Sequence, residues 1–295
     1  MDGKLELVLD AKAMLGEGPL WDDTTQRLYW VNILESKLNV FDPATGRNDA
    51  IDVGQYIGAA VLGGSREAIV AMHHGFYSLD LLNGQLKEIH DPEADKPDQR
   101  FNDGKCDALG RFWAGTMPMS GGDPTGKLYR LDADLRVTAM LDGIGCSNGL
   151  AWTSDNKTMY YIDSPTKKVV AYDYDLERGE MSNPRTVVTI PEGGGVPDGM
   201  TIDADGMLWV AQWDGWQVSR WNPHTGELLD KIAVPAARVT SCAFGGADLD
   251  ELYITTARTG LDEAQLTDQP HAGGIFRIRT GAKGLPAQRF GTARL

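Results

Sequence analysis

SNGLAWTSDNKTMYYIDSPTKKVVAYDYDLERG, residues 147–179, holds three short runs divided by turn-forming residues. The runs are SNGLAWT (147–153), KTMYYIDS (157–164) and VAYDYDLERG (170–179). Each is rich in β-branched or aromatic residues and bounded by Asn, Asp, Gly or Ser, which is how strands read. The Arg-Gly pair that closes the third run suits a hairpin loop needing positive φ.

Working outward, the middle run has five counterparts. They are RLYWVNI (27–33), EAIVAMHH (67–74), GRFWAGTM (110–117), GMLWVAQW (206–213) and ELYITTA (251–257). The anchors Trp30, Val70, Trp113, Tyr161, Trp209 and Tyr253 are spaced by 40, 43, 48, 48 and 44 residues. A propeller blade of four antiparallel strands takes about 40–50 residues. The first run also recurs before each anchor, as GEGPLWD (16–22), GAAVLGG (58–64), NDGKCDA (102–108), PDGMTID (197–203) and TSCAFGG (240–246). Each of these predicts the innermost strand of a blade. NVFDPATG (39–46), YSLDLLNG (77–84), LYRLDADL (128–135) and SRWNPHTG (219–226) supply third strands and turns.

The prediction is therefore an all-β fold, a six-bladed β-propeller that forms one domain over residues 1–295. Such a ring must be closed, and the segment 5–9 is expected to complete the last blade beside 274–280. The best helical candidate is only the segment 261–267, with Pro270 close behind. A two-domain α/β enzyme needs helices that this sequence lacks.

Composition narrows the function classes. The chain has 42 Asp and Glu against 28 Lys and Arg, a formal charge of −14. That field repels a nucleic-acid backbone or an anionic membrane surface, so neither is an expected partner. No run of apolar residues is long enough for a transmembrane helix. The start, MDGKLELVLD, has no basic region followed by an apolar one. Cys106, Cys146 and Cys242 are odd in number, widely spaced and without C-x-x-C spacing, which argues against disulfides and structural zinc. A cytoplasmic location is the expectation. Oligomeric state is not readable.

Polar residues gather where the inner strands begin. Aligned repeats place Glu17, Asn102 or Asp103, Asn148, Asp198 and Ser241 at equivalent positions, around one end of a central channel. A glycine follows Glu17, Asp103, Asn148 and Asp198 directly. Carboxylate and amide oxygens converging there make a hard-oxygen site for a divalent cation. The five histidines form no H-E-x-x-H or similar zinc spacing. His73 and His74 follow a strand and are candidates for the channel rim. No G-x-S-x-G elbow occurs, and GGGVPDG (193–199) lacks the Lys-Ser/Thr of a phosphate loop.

LGEGPLW (15–21), RFNDGKCDALGRFWAGTM (100–117), SNGLAW (147–152) and PDGM (197–200) together resemble the regucalcin / senescence marker protein / gluconolactonase family. The resemblance runs over almost the whole chain, in order. It implies a six-bladed propeller with one divalent metal at the axis and hydrolysis of sugar-acid lactones. It also implies Glu17, Asn148 and Asp198 as metal ligands, Asp198 as general base, and Arg100 and Asn102 as holders of the sugar's oxygens. Some members carry a substrate-contacting acid just after G-T-M. Here PMSGGDPTGKLY (118–129) offers only Asp123.

The residue types suit the reaction. A cation with open positions polarises a lactone carbonyl and acidifies water. A carboxylate takes the proton, and a guanidinium gives planar donors to the sugar. Ca²⁺, Mg²⁺, Mn²⁺, Zn²⁺ and Fe²⁺ all fit such a donor set. The expected partner is a small sugar lactone. Two alternatives stand beside this reading: a non-enzymatic calcium-binding or interaction propeller, and an arylesterase- or phosphotriesterase-like propeller hydrolase.

Overall fold

Six four-stranded antiparallel sheets are arranged as the blades of a propeller in the computed structural model, which describes residues 3–292. Residues 1, 2 and 293–295 of the expected domain lie outside the described residues. The inner strands are Gly16–Asp22, Ile57–Leu62, Gln99–Cys106, Ser147–Trp152, Val196–Ile202 and Arg238–Gly245, of blades 1 to 6 in turn. In blades 1 to 5 the strands follow one another outward in chain order.

Blade 6 takes its outermost strand from the other end of the chain. Glu6–Leu9 pairs antiparallel with Ile275–Arg279, as the ring-closure argument requires. The only α-helix among the described residues is Glu263–Asp268, set within blade 6. Asp262 caps it: its side chain accepts from the Gln265 N–H, while Gln265 reaches back to the Asp262 N–H.

The core is divided among the blade interfaces. Trp21, Trp30 and Phe41 of blade 1 pack with Tyr253 and Ile275 of blade 6. Phe76 of blade 2 packs with Phe101 and Phe112 of blade 3. Leu150 and Tyr161 of blade 4 pack with Trp113 and Leu128 of blade 3. Full burial of such a side chain stabilises by about 1.5–3 kcal/mol, so each interface is held by apolar contact and the hole along the axis is left to polar groups.

Two blades share a polar latch. Asp107 Oδ2 accepts from the Trp113 indole N–H at 2.9 Å, from Arg111 Nε at 2.7 Å and from the Tyr174 hydroxyl at 2.6 Å. Asp203 Oδ2 accepts from the Trp209 indole N–H at 3.0 Å and from Arg220 Nη2 at 2.6 Å. Both aspartates are buried. Each stands six residues before its tryptophan, just past the inner strand, and joins that strand to its neighbour.

Candidate functional site

Every inner strand is interrupted at the same place. Its pairing with the second strand slips between Glu17 and Leu20, Ile57 and Ala59, Phe101 and Gly104, Asn148 and Leu150, Pro197 and Met200, and Val239 and Ser241. One extra residue on the inner strand bends it and frees side chains from the sheet's alternation. Such bulges at one level let Glu17, Asn102, Asn148 and Asp198 leave the alternation of their sheets.

Backbone conformation explains one glycine here and close packing another. Gly18 has φ +53°, and its N–H donates to Glu17 Oε2 at 2.5 Å. A Cβ on Gly199 would sit 2.0 Å from Ser241 Oγ, so only glycine lets blades 5 and 6 meet beside Asp198.

Glu17, Asp198 and Asp103 are buried. The Glu17 and Asp198 carboxyl groups are neighbours, each acting on the other's hold on its proton. No donor reaches Glu17 Oε1, a buried oxygen without a partner. Burial first, then the charges of Asp198 and Asp103, pushes the Glu17 carboxyl well above its usual range. Burial and the Asp103 charge do the same to Asp198, against an opposing pull from Arg100. Burial also raises Asp103, against the nearby Lys105 ammonium. Two carboxylates pressed together in this way need a proton or a cation between them.

A hydrogen-bonded relay runs beside this pair across three blades. Arg100 Nη1 donates to Asn102 Oδ1 at 2.8 Å and to the Phe101 carbonyl at 2.9 Å. Asn102 Nδ2 donates to the Ser147 carbonyl at 2.8 Å and to Asn148 Oδ1 at 3.2 Å. Asn148 Nδ2 donates to Ser164 Oγ at 2.8 Å, and Ser164 Oγ donates to the Pro197 carbonyl at 2.7 Å, next to Asp198. Asn148 Oδ1 is thereby turned away from the Ser164 side. Burial pulls the Arg100 guanidinium down from its usual range, opposed by Cys146, Glu17, Asp198 and Tyr56.

The match to known proteins is extensive. A model of the SMP-30/gluconolactonase/LRE-like region matches residues 15–258. The chain is 44% identical over 283 residues to the Bacillus subtilis protein named "Putative sugar lactone lactonase YvrE", covering 95% of this chain and 96% of that one. It is 39% identical over 293 residues to regucalcin of Xenopus laevis, covering 97% and 98%. The crystal structure of a calcium-binding regucalcin from Agrobacterium tumefaciens superposes with a TM-score of 0.92 at 27% identity, over 98% of this chain and 97% of that one. The chain belongs to the SMP-30/gluconolactonase/LRE-like family.

In this SMP-30/gluconolactonase-like propeller the expected residues Glu17, Asn148, Asp198, Arg100 and Asn102 lie together at one end of the channel. Asp103 and Ser241 stand next to this group: the Asp103 charge acts on both Glu17 and Asp198, and Ser241 abuts Gly199. With Lys105, Trp21 and Trp152 they line a cavity of about 270 Å³ toward the opposite end, which the segment 285–288 covers. In blade 6 the bulge leaves Thr240 as the unpaired residue and puts Ser241 one step past it. Lys105 is also buried, and its Nζ donates to the Met200 carbonyl at 2.8 Å. Asp123 is exposed on the 118–125 segment.

Among the described residues no group of three or more His, Cys, Asp and Glu side chains is arranged to hold a metal ion. The expected metal centre at the axis is thus not shown. The donor set Glu17, Asp198 and Asn148 nevertheless fits a hard divalent cation. The Glu17 and Asp198 carboxyl groups are neighbours, Asn148 is linked through Ser164 to the Pro197 carbonyl beside Asp198, and the unpartnered Glu17 Oε1 is the buried acceptor that a cation would satisfy. Sequence reasoning missed Ser164, which orients Asn148, and Lys105, although the latter stood in plain view in R-F-N-D-G-K. Their signals were only their neighbours in the chain.

Proposed function

We propose that this propeller, one domain over residues 1–295, is a metal-dependent hydrolase of sugar-acid lactones that converts an aldonolactone to the aldonic acid. The observation that carries the reading is the neighbouring carboxyl pair Glu17–Asp198, with an unpartnered buried oxygen, set beside the Arg100–Asn102–Asn148 relay. Family membership and the lactonase name of the Bacillus subtilis relative support it.

Glu17, Asn148 and Asp198 hold one divalent ion. When bound, that ion supplies Lewis acidity to the lactone carbonyl and lowers the pKa of water. Asp198 accepts a proton from the attacking water as the new C–O bond forms. The ring C–O bond then breaks, and the proton passes to the departing alkoxide, leaving a hydroxy acid. Arg100 gives its remaining N–H donors to the sugar's oxygens or to the developing negative charge. Both N–H bonds of the Asn102 amide are spent within the protein, so Asn102 meets substrate only through Oδ1 and chiefly fixes Asn148 and Arg100.

A proton-release assay tests this directly. Metal-stripped protein is mixed with a panel of aldonolactones, with Ca²⁺, Mg²⁺, Mn²⁺, Zn²⁺ or Fe²⁺ restored one at a time. Acid release that depends on metal and on the sugar lactone is the expected result. Release from none of them overturns the reading. The calcium-binding regucalcin that this fold superposes on favours one second reading, a calcium-binding propeller without catalysis. Tight calcium binding with no acid release is its signature.

A further inference from the structure

The bulge of blade 2, between Ile57 and Ala59, carries no polar side chain. Its extra residue is Gly58, and a Cβ there would lie 2.3 Å from the Asn102 carbonyl oxygen and 2.5 Å from that of Phe101. The inner strands of blades 2 and 3 therefore run in contact, with Gly58 against Phe101 and Asn102. Two residues toward the mouth from this contact stand Tyr56, just before the blade 2 strand, and Arg100, within the blade 3 strand.

Tyr56 is the end of a stack of three rings. Its ring centroid lies 6.1 Å from that of His73 at an interplanar angle of 20°, and His73 lies 4.2 Å from His74 at 16°. The stack is fastened from several sides. The His73 N–H donates to the Tyr56 carbonyl at 2.8 Å. His73 Nε2 lies 2.9 Å from the Pro97 carbonyl oxygen, so that nitrogen carries the proton and donates. The His74 backbone N–H donates to Gln55 Oε1 at 2.8 Å. Tyr56 itself remains 36% exposed. A large ring is thus stacked from behind and left partly bare, on the strand-neighbour position to Arg100.

We propose that Tyr56, backed by His73 and His74, is the specificity-determining wall of the substrate site. It receives the C–H face of a cyclic, hydroxylated lactone while Arg100 takes its oxygens. This rests on the lactonase reading above. An aromatic face already held in place binds an apolar ring face with little further loss of side-chain freedom, while polar donors at its edge fix orientation. The contact is the same before and during ring opening, so it acts on binding and not on the chemical step.

The test compares Tyr56→Ala and Tyr56→Phe with wild type in two measurements: lactone turnover, and calorimetric binding of the product aldonate to the metal-loaded protein. Tyr56→Ala is expected to raise KM for sugar lactones, and to weaken aldonate binding, by about tenfold, the scale of one lost apolar contact in a pocket. Its kcat and metal content stay as in wild type. Tyr56→Phe, which keeps the ring, is expected to behave as wild type in both. Unchanged KM and aldonate affinity in Tyr56→Ala overturn the proposal. So does a loss in Tyr56→Phe as large as in Tyr56→Ala, which makes the hydroxyl the active group, and so does a fall in kcat alone. A wild type that neither turns over lactones nor binds aldonate overturns this proposal together with the reading beneath it. With a wild type that does either, failure of the Tyr56 variants to behave as stated overturns the wall alone.

Discussion

The Asn102 side-chain amide donates to Asn148 Oδ1 at 3.2 Å, across the boundary between blades 3 and 4. One residue of the R-F-N-D-G motif is thereby tied to one residue of the S-N-G motif, and Arg100 is tied to both through Asn102 Oδ1. The two motifs are parts of one hydrogen-bonded unit, and this separates the expected behaviour of Arg100 from that of Asn102.

Arg100→Leu should lower kcat/KM for a sugar lactone by the equivalent of about 2–4 kcal/mol, the loss of a charge-assisted contact. Its metal content should stay unchanged. Asn102→Ala should lower activity and also weaken metal affinity by about 10–100-fold, as removal of a ligand's supporting partner does. Metal analysis after dialysis, paired with initial rates, distinguishes the two. Equal metal loss in both variants would mean that Arg100 supports the donor set.

Asp198→Asn keeps an oxygen but cannot accept a proton. Turnover should fall by at least about 100-fold while some metal remains bound. Glu17→Gln should act through metal affinity, so excess metal should partly restore its activity. A metal titration of both variants is the measurement. If excess metal brings Asp198→Asn back to near wild-type turnover, Asp198 is a ligand and nothing more.

Metal-free protein should lose stability as pH rises. The folded-state pKa of Glu17 and of Asp198 is raised above the unfolded value, so the native state binds more protons. Below the unfolded carboxylate pKa of about 4 the two states are equally protonated and there is no penalty. The penalty grows as pH climbs from there toward the raised folded values, where the native pair must lose its protons. Thermal melts of metal-stripped protein between pH 4 and pH 8 should show this decline, and added divalent metal should flatten it. A metal-free Tm that rises through that range contradicts the buried-pair account.

Asp107→Ala should destabilise the fold by about 3–5 kcal/mol, because Arg111 is left as a buried charge without its partner. Urea unfolding followed by tryptophan fluorescence measures this. Lactone turnover below the transition should be unaffected, since Asp107 lies past the far end of the blade 3 inner strand. A shift under about 1 kcal/mol would place the latch among ordinary surface pairs.

The Cys242 thiol is pushed up to about 12, chiefly by burial. At pH 8 the thiolate is then only about 10⁻⁴ of the population, so alkylation of native protein at this residue should be negligible. Full reaction should appear only in denaturant. Rapid labelling of Cys242 in the native state, read by mass spectrometry, would mean that the channel wall opens.

The ring was legible in the sequence because a propeller repeats. The spacing of Trp30, Val70, Trp113, Tyr161, Trp209 and Tyr253 gives six units, and the closing strand follows from the demand that blade 6 have four strands. The grouping of Glu17, Asn148 and Asp198 was legible for the same reason: equal phase in a repeat becomes proximity on an axis. The bulges were not, since an extra residue leaves no mark in a run that is buried on both faces. That is why nothing in the repeat told Asp103 and Ser241 from the others, although they also line the cavity beyond. The Tyr56 wall was hidden for a different reason. Two histidines after a strand have no meaning until a third ring, contributed by the chain before the same strand pair, is stacked upon them.

The pairing of Glu6–Leu9 with Ile275–Arg279 also governs how the molecule can come into being. Arg277 Nη2 donates to Glu6 Oε2 at 2.9 Å across 271 positions of chain. Earlier blades can fold while synthesis continues, but the sixth has no outer strand until segment 275–279 has left the ribosome and met segment 6–9. Contacts between such distant positions form late, because the entropy of closing so long a loop must be overcome first. Until that moment the apolar flanks of blades 1 and 6, with Trp21 and Tyr253 among them, stand open to water. The chain is thus most exposed to aggregation in the interval before these two segments meet.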